Sequence, residues 1–228
     1  MNLLAINTAR GEGDVALLCG GGVVGELSLG RAPGFDRVLF AVIGELLAGH
    51  NLALSEIDAF AAATGPGSFT GIRIGLSAAK ALSEAHNRPL VGVSSLRALA
   101  KAVTEARPDA VRVPVLDARR GELFAGFYDR NAEPVAPETV GDWTSLEPQI
   151  RKFDADLVTN EPQIFDPAGP AGGAGRFLLV PPTVAGAIAL IAAGQIASGC
   201  SGLPESVEAN YIRRPSASPP KWAQAAKR

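Results

Sequence analysis

Cysteine is nearly absent from this sequence: Cys19 and Cys200 are the two in 228 residues. A disulfide-stapled secreted scaffold is excluded, and a reducing compartment fits. Histidine is as scarce. His50 and His86 each fall where a helix is expected to end, with no second His or Cys at ligand spacing. That excludes a metal site and leaves a Ser–His–acid triad nothing but capping histidines to draft. Long apolar runs are missing too. The most apolar late stretch, residues 184–199, is shorter than the roughly 20 residues needed to span a bilayer, and Gln195 interrupts it. It reads as a buried amphipathic helix. Met1 to Asn7 has neither a basic region nor a long apolar one, so no signal peptide is read there and a cytoplasmic protein is expected. Finally, there is no excess of positive charge: 21 Lys and Arg against 23 Asp and Glu give a net charge of -2. No global field exists to hold RNA or an anionic membrane, so nucleic-acid binding by this chain alone should be weak.

With 47% hydrophobic and 19% charged residues, the chain is an ordinary globular sequence. Apolar strands are expected at residues 3–6, 15–19 and 23–29, separated by Gly11, Gly13 and the hairpin signal Gly20-Gly21-Gly22. Helical spacing follows from Phe35 to Leu47, stopped by Gly49 and His50. A small-residue strand is expected at 59–63, a helix at 72–86, a strand at 90–93, and a third helix from Ser94 or Ser95 to about Arg107. Three meandering strands followed by alternating helices and strands is the layout of a ribonuclease-H-like lobe. The stretch from Leu4 to Glu12 resembles that from Val115 to Glu122: an apolar strand, a short polar residue, then a basic Gly-Glu turn. The offset is about half the chain and reads as a duplicated lobe. The expected domains are 1–108, a more irregular second lobe at 109–212, and a mobile, Pro-rich tail at 213–228 with five basic residues and no acid. Residues 161–175, rich in Pro and Gly, read as loop.

The strongest local signal is Gly65-Pro66-Gly67-Ser68-Phe69-Thr70-Gly71-Ile72-Arg73-Ile74-Gly75, placed after a strand and opening a helix. Glycines there permit close backbone approach, and the free N–H groups of a helix start favour an anion. Gly65, Gly67, Ser68, Thr70 and Gly71 are therefore candidates for a phosphate loop. The competing reading is a tight structural turn with Ser68 or Thr70 as the helix cap. No Gly-Lys-Ser/Thr closes a Walker loop, and the dinucleotide spacing is absent. Pro66 and Thr70 stand where a nucleophile elbow needs glycine.

These eleven residues resemble the signature stretch of the TsaB (YeaZ) family. The similarity extends to "LLAINTA" at the start, "VGVSSL" at Val91 to Leu96, "LDARRGELF" at Leu116 to Phe124, and "YIR" at Tyr211 to Arg213; residues 130–205 match little. The resemblance implies an α/β protein with the two-lobed actin-like ATPase (ASKHA) fold built from ribonuclease-H-like lobes. It implies a non-catalytic dimerisation and activating subunit, with no cofactor of its own. Its partners would be the catalytic subunit TsaD and the ATPase TsaE, with tRNA reached only through the complex. TsaC would supply threonylcarbamoyl-adenylate, and TsaD would move the group to adenosine 37 of tRNAs reading codons that begin with A. Proteins of the actin-like fold place a carboxylate at the end of the first strand of each lobe for Mg²⁺ and nucleotide. Here those positions are Asn7 and Asp117. The family commonly has Asp at the first, so Asn7 departs from it, and an amide lacks the charge that a hard cation prefers. Asp117 also reads as a turn residue accepting backbone N–H bonds.

Both early helices carry more apolar surface than one sheet can cover. Val38, Val42, Ile43 and Leu46 on the first, with Ile72, Gly75, Ala78, Ala79 and Leu82 on the second, are the expected partner surface. Ile43 and Ala78 are read as facing outward. A homodimer could use the same patch. The alternatives are a nucleotide-binding ATPase or kinase of the same fold, and a stand-alone RNA-binding protein.

Overall fold

The computed structural model describes residues 1–212 apart from 32, 105, 167, 168, 170, 172–176 and 201. Two five-stranded sheets are built the same way. In the first, β1 (Asn2–Asn7), β2 (Glu12–Cys19) and β3 (Gly22–Arg31) form an antiparallel meander. Next, α1 (Phe35–Gly49), β4 (Ala59–Gly65), α2 (Phe69–His86) and β5 (Leu90–Ser94) follow, with β4 parallel to β1 and β5 parallel to β4. The strand order is β3-β2-β1-β4-β5. After α3 (Ser95–Ala102) the pattern recurs: β6 (Arg112–Arg119), β7 (Glu122–Tyr128) and β8 (Pro134–Asp142) meander, then come α4 (Trp143–Arg151), β9 (Asp156–Thr159), β10 (Phe177–Leu179) and α5 (Ala185–Ala197). The second order, β10-β9-β6-β7-β8, is the first one repeated. The weak repeat between Leu4–Glu12 and Val115–Glu122 is thus the β1–β2 and β6–β7 turns of two ribonuclease-H-like sheets.

The crossing of two helices joins them. The helix that leaves the first sheet, α3, packs on β6, β7 and β9 of the second; the helix that leaves the second, α5, lies across all five strands of the first. One central cluster results. It holds Leu3, Ala5, Leu18 and Ala61 from one sheet, Leu116, Phe124 and Val158 from the other, and Leu96, Leu99, Ile188 and Ile191 from the two helices. Alternate residues of the same strands point to outer cores. Leu4, Ile6, Leu17 and Phe60 meet α1 and α2. Val115, Leu123 and Phe127 meet Leu146 and Ile150 of α4. This is the two-residue period of a strand buried on both faces.

The structure corrects the sequence reading at several points. The late helix α5 is buried but not amphipathic: apolar residues surround it, as suits a helix between two sheets. The third helix ends at Ala102, well before Arg107. Val103 turns extended and is buried, and the chain bends so that Arg107 can bond both carboxylate oxygens of Asp156, at 2.7 and 2.9 Å, and Asp154 at 2.9 Å. A 3-10 turn at Pro162–Phe165 stands in the segment read as loop. The tail from Arg213 lies outside the described residues. Among those described, no helix is long and apolar enough to cross a membrane.

The expected partner surface is the largest correction. Ile43, Leu46, Ile72, Gly75 and Ala79 are buried in this chain, and Ala78 and Leu82 are nearly so. Periodicity shows two apolar stripes on α1 but not which one the sheet takes. The sheet takes Phe35, Leu39, Ile43, Leu46 and Leu47, leaving Val38, Phe40 and part of Val42 open. On α2 the open residues are Phe69, Thr70, Arg73, Ser77, Ala81, Glu84 and Ala85, with Ile74 half-buried. Ile43→Glu should therefore unfold the isolated chain, since it buries an unpaired carboxylate. Phe40→Glu, at a position 57% exposed, should move the thermal midpoint by no more than about 2 °C. Circular dichroism melts of both variants check this.

Candidate functional site

The end of β1 meets the start of α2 at backbone contact. Ser68 N–H donates to the Ala9 carbonyl at 2.6 Å, and Thr8 Oγ1 donates to the Gly71 carbonyl at 2.7 Å. A Cβ on Gly67 would stand 2.0 Å from the Ala9 carbonyl oxygen, one on Gly71 1.9 Å from that of Thr8, and one on Gly75 2.3 Å from Thr8 Oγ1. These glycines let the loop lie against β1. Ser68 caps α2, its Oγ accepting from Gly71 N–H at 3.2 Å. The N–H groups of Ser68 and Gly71 are thus engaged within the chain. Thr70 is exposed on the first turn of α2, and Gly65 holds a positive φ of 100° against Ile72.

A cavity of about 630 Å³ opens beside this loop. Pro66, Gly67, Ser68, Phe69 and Ile72 form one wall, Leu116 to Arg119 with Phe124 the opposite wall, and Arg10, Glu161 and Asn210 to Ile212 complete it. Asp117 Oδ1 accepts from Arg119 N–H at 2.7 Å and its Oδ2 faces Arg119 Nη1 at 3.1 Å, while its own N–H donates to Glu161 at 2.9 Å. At the mouth, the Arg73 guanidinium lies 3.7 Å from the Phe69 ring centre and its Nε donates to Tyr211 Oη at 3.3 Å. The signature stretch Gly65 to Gly75 therefore meets the last matching block through Phe69, Arg73 and Tyr211.

Asn7 does not line this cavity. It is buried on β1 opposite Asp14 of β2. Its Nδ2 donates to Asp14 Oδ1 at 2.6 Å, and its Oδ1 accepts from Ala9 N–H at 3.3 Å. The other Asp14 oxygen accepts the Val184 N–H at 2.7 Å and the Ala185 N–H at 2.5 Å, at the start of α5. Burial pushes the Asp14 carboxyl up to about 7, against the N–H bonds that favour its anion. The acid at this end of the sheet thus stands on β2 and turns inward to a helix. A second carboxylate at position 7 would face it, which accounts for the amide there. Sequence reasoning missed Asp14, although an acid directly at the head of the apolar run Val15 to Leu18 was a signal. It also missed Arg10, which is buried and donates to the Asn160 side chain and, at 3.0 Å, to the Pro182 carbonyl. Loss of hydration lowers the Arg10 pKa, opposed by Glu161, Asp14 and Glu12. A second cavity of about 510 Å³ shares Arg10, Gly11 and Glu161 with the first.

His50 caps α1: Nδ1 lies 2.9 Å from the Leu46 carbonyl and Nε2 2.9 Å from that of Val24. His86 ends α2. Among the described residues no group of three or more His, Cys, Asp or Glu could hold a metal ion.

Two sheets of repeated ribonuclease-H-like order with a cleft between them define the two-lobed actin-like class. A family model described as "TsaD: tRNA N6-adenosine threonylcarbamoyltransferase" matches residues 20–155, more than half of the chain, and the chain belongs to that family. Within it, the chain is similar to proteins named tRNA threonylcarbamoyladenosine biosynthesis protein TsaB. With that of Haemophilus influenzae it is 36% identical over 124 residues, 54% of this chain and 52% of the relative. With that of Bacillus subtilis it is 32% identical over 152 residues, 64% of this chain and 66% of the relative. The matched region thus spans between half and two thirds of these relatives. A Pseudomonas aeruginosa crystal structure, described as an uncharacterised protein with similarity to peptidase YeaZ, superposes with a TM-score of 0.73 at 25% identity, over 93% of this chain and 99% of the other.

Asn7→Asp should destabilise the protein by about 1–3 kcal/mol at alkaline pH, because the new carboxylate replaces a donor to buried Asp14. The loss should shrink as pH falls and a proton can be shared between them. Urea unfolding at two pH values measures it.

Proposed function

We propose that this chain is the non-catalytic, activating subunit of a complex that transfers a threonylcarbamoyl group to adenosine 37 of tRNAs reading codons that begin with A. TsaD is the catalytic partner and TsaE the associated ATPase, and tRNA is engaged only in the assembly. The single observation that carries this reading is the Asn7–Asp14 pair. At the strand end where the actin-like fold uses a carboxylate for Mg²⁺ and nucleotide, this chain has an amide, and the neighbouring acid is turned inward onto α5. Asp117 then lacks a counterpart across the cleft. We take 1–108 and 109–212 as the two lobes and place the protein in the cytoplasm.

The partner surface in this proposal is built from Val38 and Val42, one turn apart on α1, with Phe40 open at the other edge of that helix and with Ile74 and Ala81 on α2. It replaces the buried set expected from periodicity. The same surface serves a homodimer when the partner is absent. The second reading, a nucleotide-binding ATPase or kinase, is favoured by the 630 Å³ cavity beside the Gly65 to Gly71 loop, with Asp117 on its far wall.

Two experiments separate the readings. Phe40→Glu combined with Val38→Glu should abolish co-purification with TsaD while the melting curve stays near that of the parent protein, because the new charges would be desolvated in the interface. Normal binding by that variant would reject the surface. The isolated chain should show no magnesium-dependent ATP turnover, and robust hydrolysis by protein free of partners would reject the non-catalytic role.

A further inference from the structure

The edge strand β3 lies between two helices, α1 and α5, and a titratable side chain stands at each contact. On one side lies α1, whose capping His50 reaches across to the Val24 carbonyl at 2.9 Å while its other ring nitrogen faces the Leu46 carbonyl at 2.9 Å. Both neighbours are acceptors, so both contacts are hydrogen bonds only in the imidazolium; a neutral ring donates from one nitrogen. Gly25 makes room for this: a Cβ there would stand 2.5 Å from His50 Cε1. On the other side lies α5. Its first N–H groups are taken by two carboxylates of adjacent strands, Asp14 for Val184 and Ala185, and Glu26 of β3 for Gly186 at 2.9 Å. The Asp14 and Glu26 carboxylates thus converge on one helix start, Asp14 buried and Glu26 open to solvent on one flank.

We propose that β2 and β3 form a proton-linked strap, β3 holding α1 through His50 and the two strands together holding α5 through Asp14 of β2 and Glu26 of β3, whose grip slackens on both helices as pH rises through neutrality. The pKa directions agree in sign. His50 is raised by its two carbonyl contacts, first Leu46 and then Val24. Asp14 is raised to about 7, first by burial and also by Glu26. A group raised in the fold contributes stability that is present at lower pH and lost as pH passes its folded value. Deprotonation of His50 sets a lone pair against a carbonyl oxygen, and deprotonation of Asp14 leaves a buried anion beside Glu26, whose lost hydration is recovered only when the start of α5 opens. The helix dipole favours one of those charges more than it can two.

The remaining charged groups leave this intact. The described helix α5 carries no charged residue, and β1 offers Asn7 alone. On α1, Asp36, Arg37 and Glu45 are exposed to solvent. Glu12 on β2 is paired with Arg31 at the far end of β3 at 2.8 Å. The Arg10 guanidinium acts on Asp14 by charge from the β1–β2 turn. It favours the anion and so lowers the transition without reversing it. Because β3 packs on α1, the change reaches the helix that carries Val38 and Phe40. The inference stands whether or not that surface binds TsaD.

Thermal melts of the full chain between about pH 6 and pH 8.5 test it. The midpoint of the parent protein should fall by about 2–4 °C or more across this window, with a loss of amide protection, relative to intrinsic exchange at each pH, at Leu27 and at Val184 to Gly186. Glu26→Gln should remove a small part of the fall, and Glu26→Gln with His50→Gln a larger part, leaving the share that burial of Asp14 sets. A flat parent profile, or a double variant that keeps the full slope, overturns the proposal. If the double variant fails to fold, the His50 ring is titrated by NMR in the parent protein. A midpoint above the ordinary 6.5 supports the strap, and one at or below it overturns it.

Discussion

The exchange of α3 and α5 between the two sheets is the constraint on which the rest depends. Each sheet has an outer face covered by its own helices and an inner face covered by the helix that follows the other. A sheet buried on both sides needs apolar residues at every position, and β1 and β4 supply them. Where a helix begins inside that core a polar requirement appears, because its first N–H groups have no intrahelical acceptor. Asp14 and Glu26 answer it for α5, and Ser94 answers it for α3, accepting from Leu96 and Arg97 N–H. The Ser94 hydroxyl also donates to Glu138, which accepts from Tyr128 Oη and, at 2.7 Å, from Asn210. Two clusters of polar groups inside this protein, Asn7 with Asp14 and Ser94 with Glu138, thus sit where helices start between the sheets.

That rule also orders the cleft. The residues around Asn7 to Arg10 point into the structure: Asn7 to Asp14, Thr8 to α2, and Arg10 to Asn160 and Pro182. The cavity is lined by the loop Pro66 to Phe69, the turn Leu116 to Arg119 and the segment from Asn210 to Ile212, with Ala9 to Gly11 and Glu161 closing it. The turn is shaped by Arg119, Arg120 and Gly121, all at positive φ, and by Asp117 holding Arg119.

Much of the first half was legible in the sequence because its punctuation is strong. Gly20 to Gly22, Gly49-His50 and Asn87-Arg88-Pro89 each stop an element within a residue or two of where the structure does. The doubled lobe was legible from the turn after Leu4 to Asn7 and its echo after Val115. The strands β8, β9 and β10 were not. β8 carries Pro134 and Pro137, tolerable on a sheet edge but misleading in a sequence, and β9 and β10 have four and three residues. Which stripe of α1 is core was not legible either. Val38 and Ile43 have equal apolar character, and only the position of the sheet decides between them. Asp14 escaped for a related reason: a buried acid is interpretable once its donors are known, and those lie some 170 residues further along the chain.

The exchanged helices have a consequence for how the chain can be divided. A cut near residue 108 would leave the first fragment with α3 attached but no cover for the inner face of its own sheet, where Leu3, Ala5, Leu18 and Ala61 lie. The second fragment would carry α5 with nothing to lay it on. Neither piece could satisfy its apolar surface alone, yet each carries what the other lacks. The two halves are therefore domains by strand order and a single unit by folding: mixed together they should reassemble by trading helices, and apart they should stay collapsed and sticky.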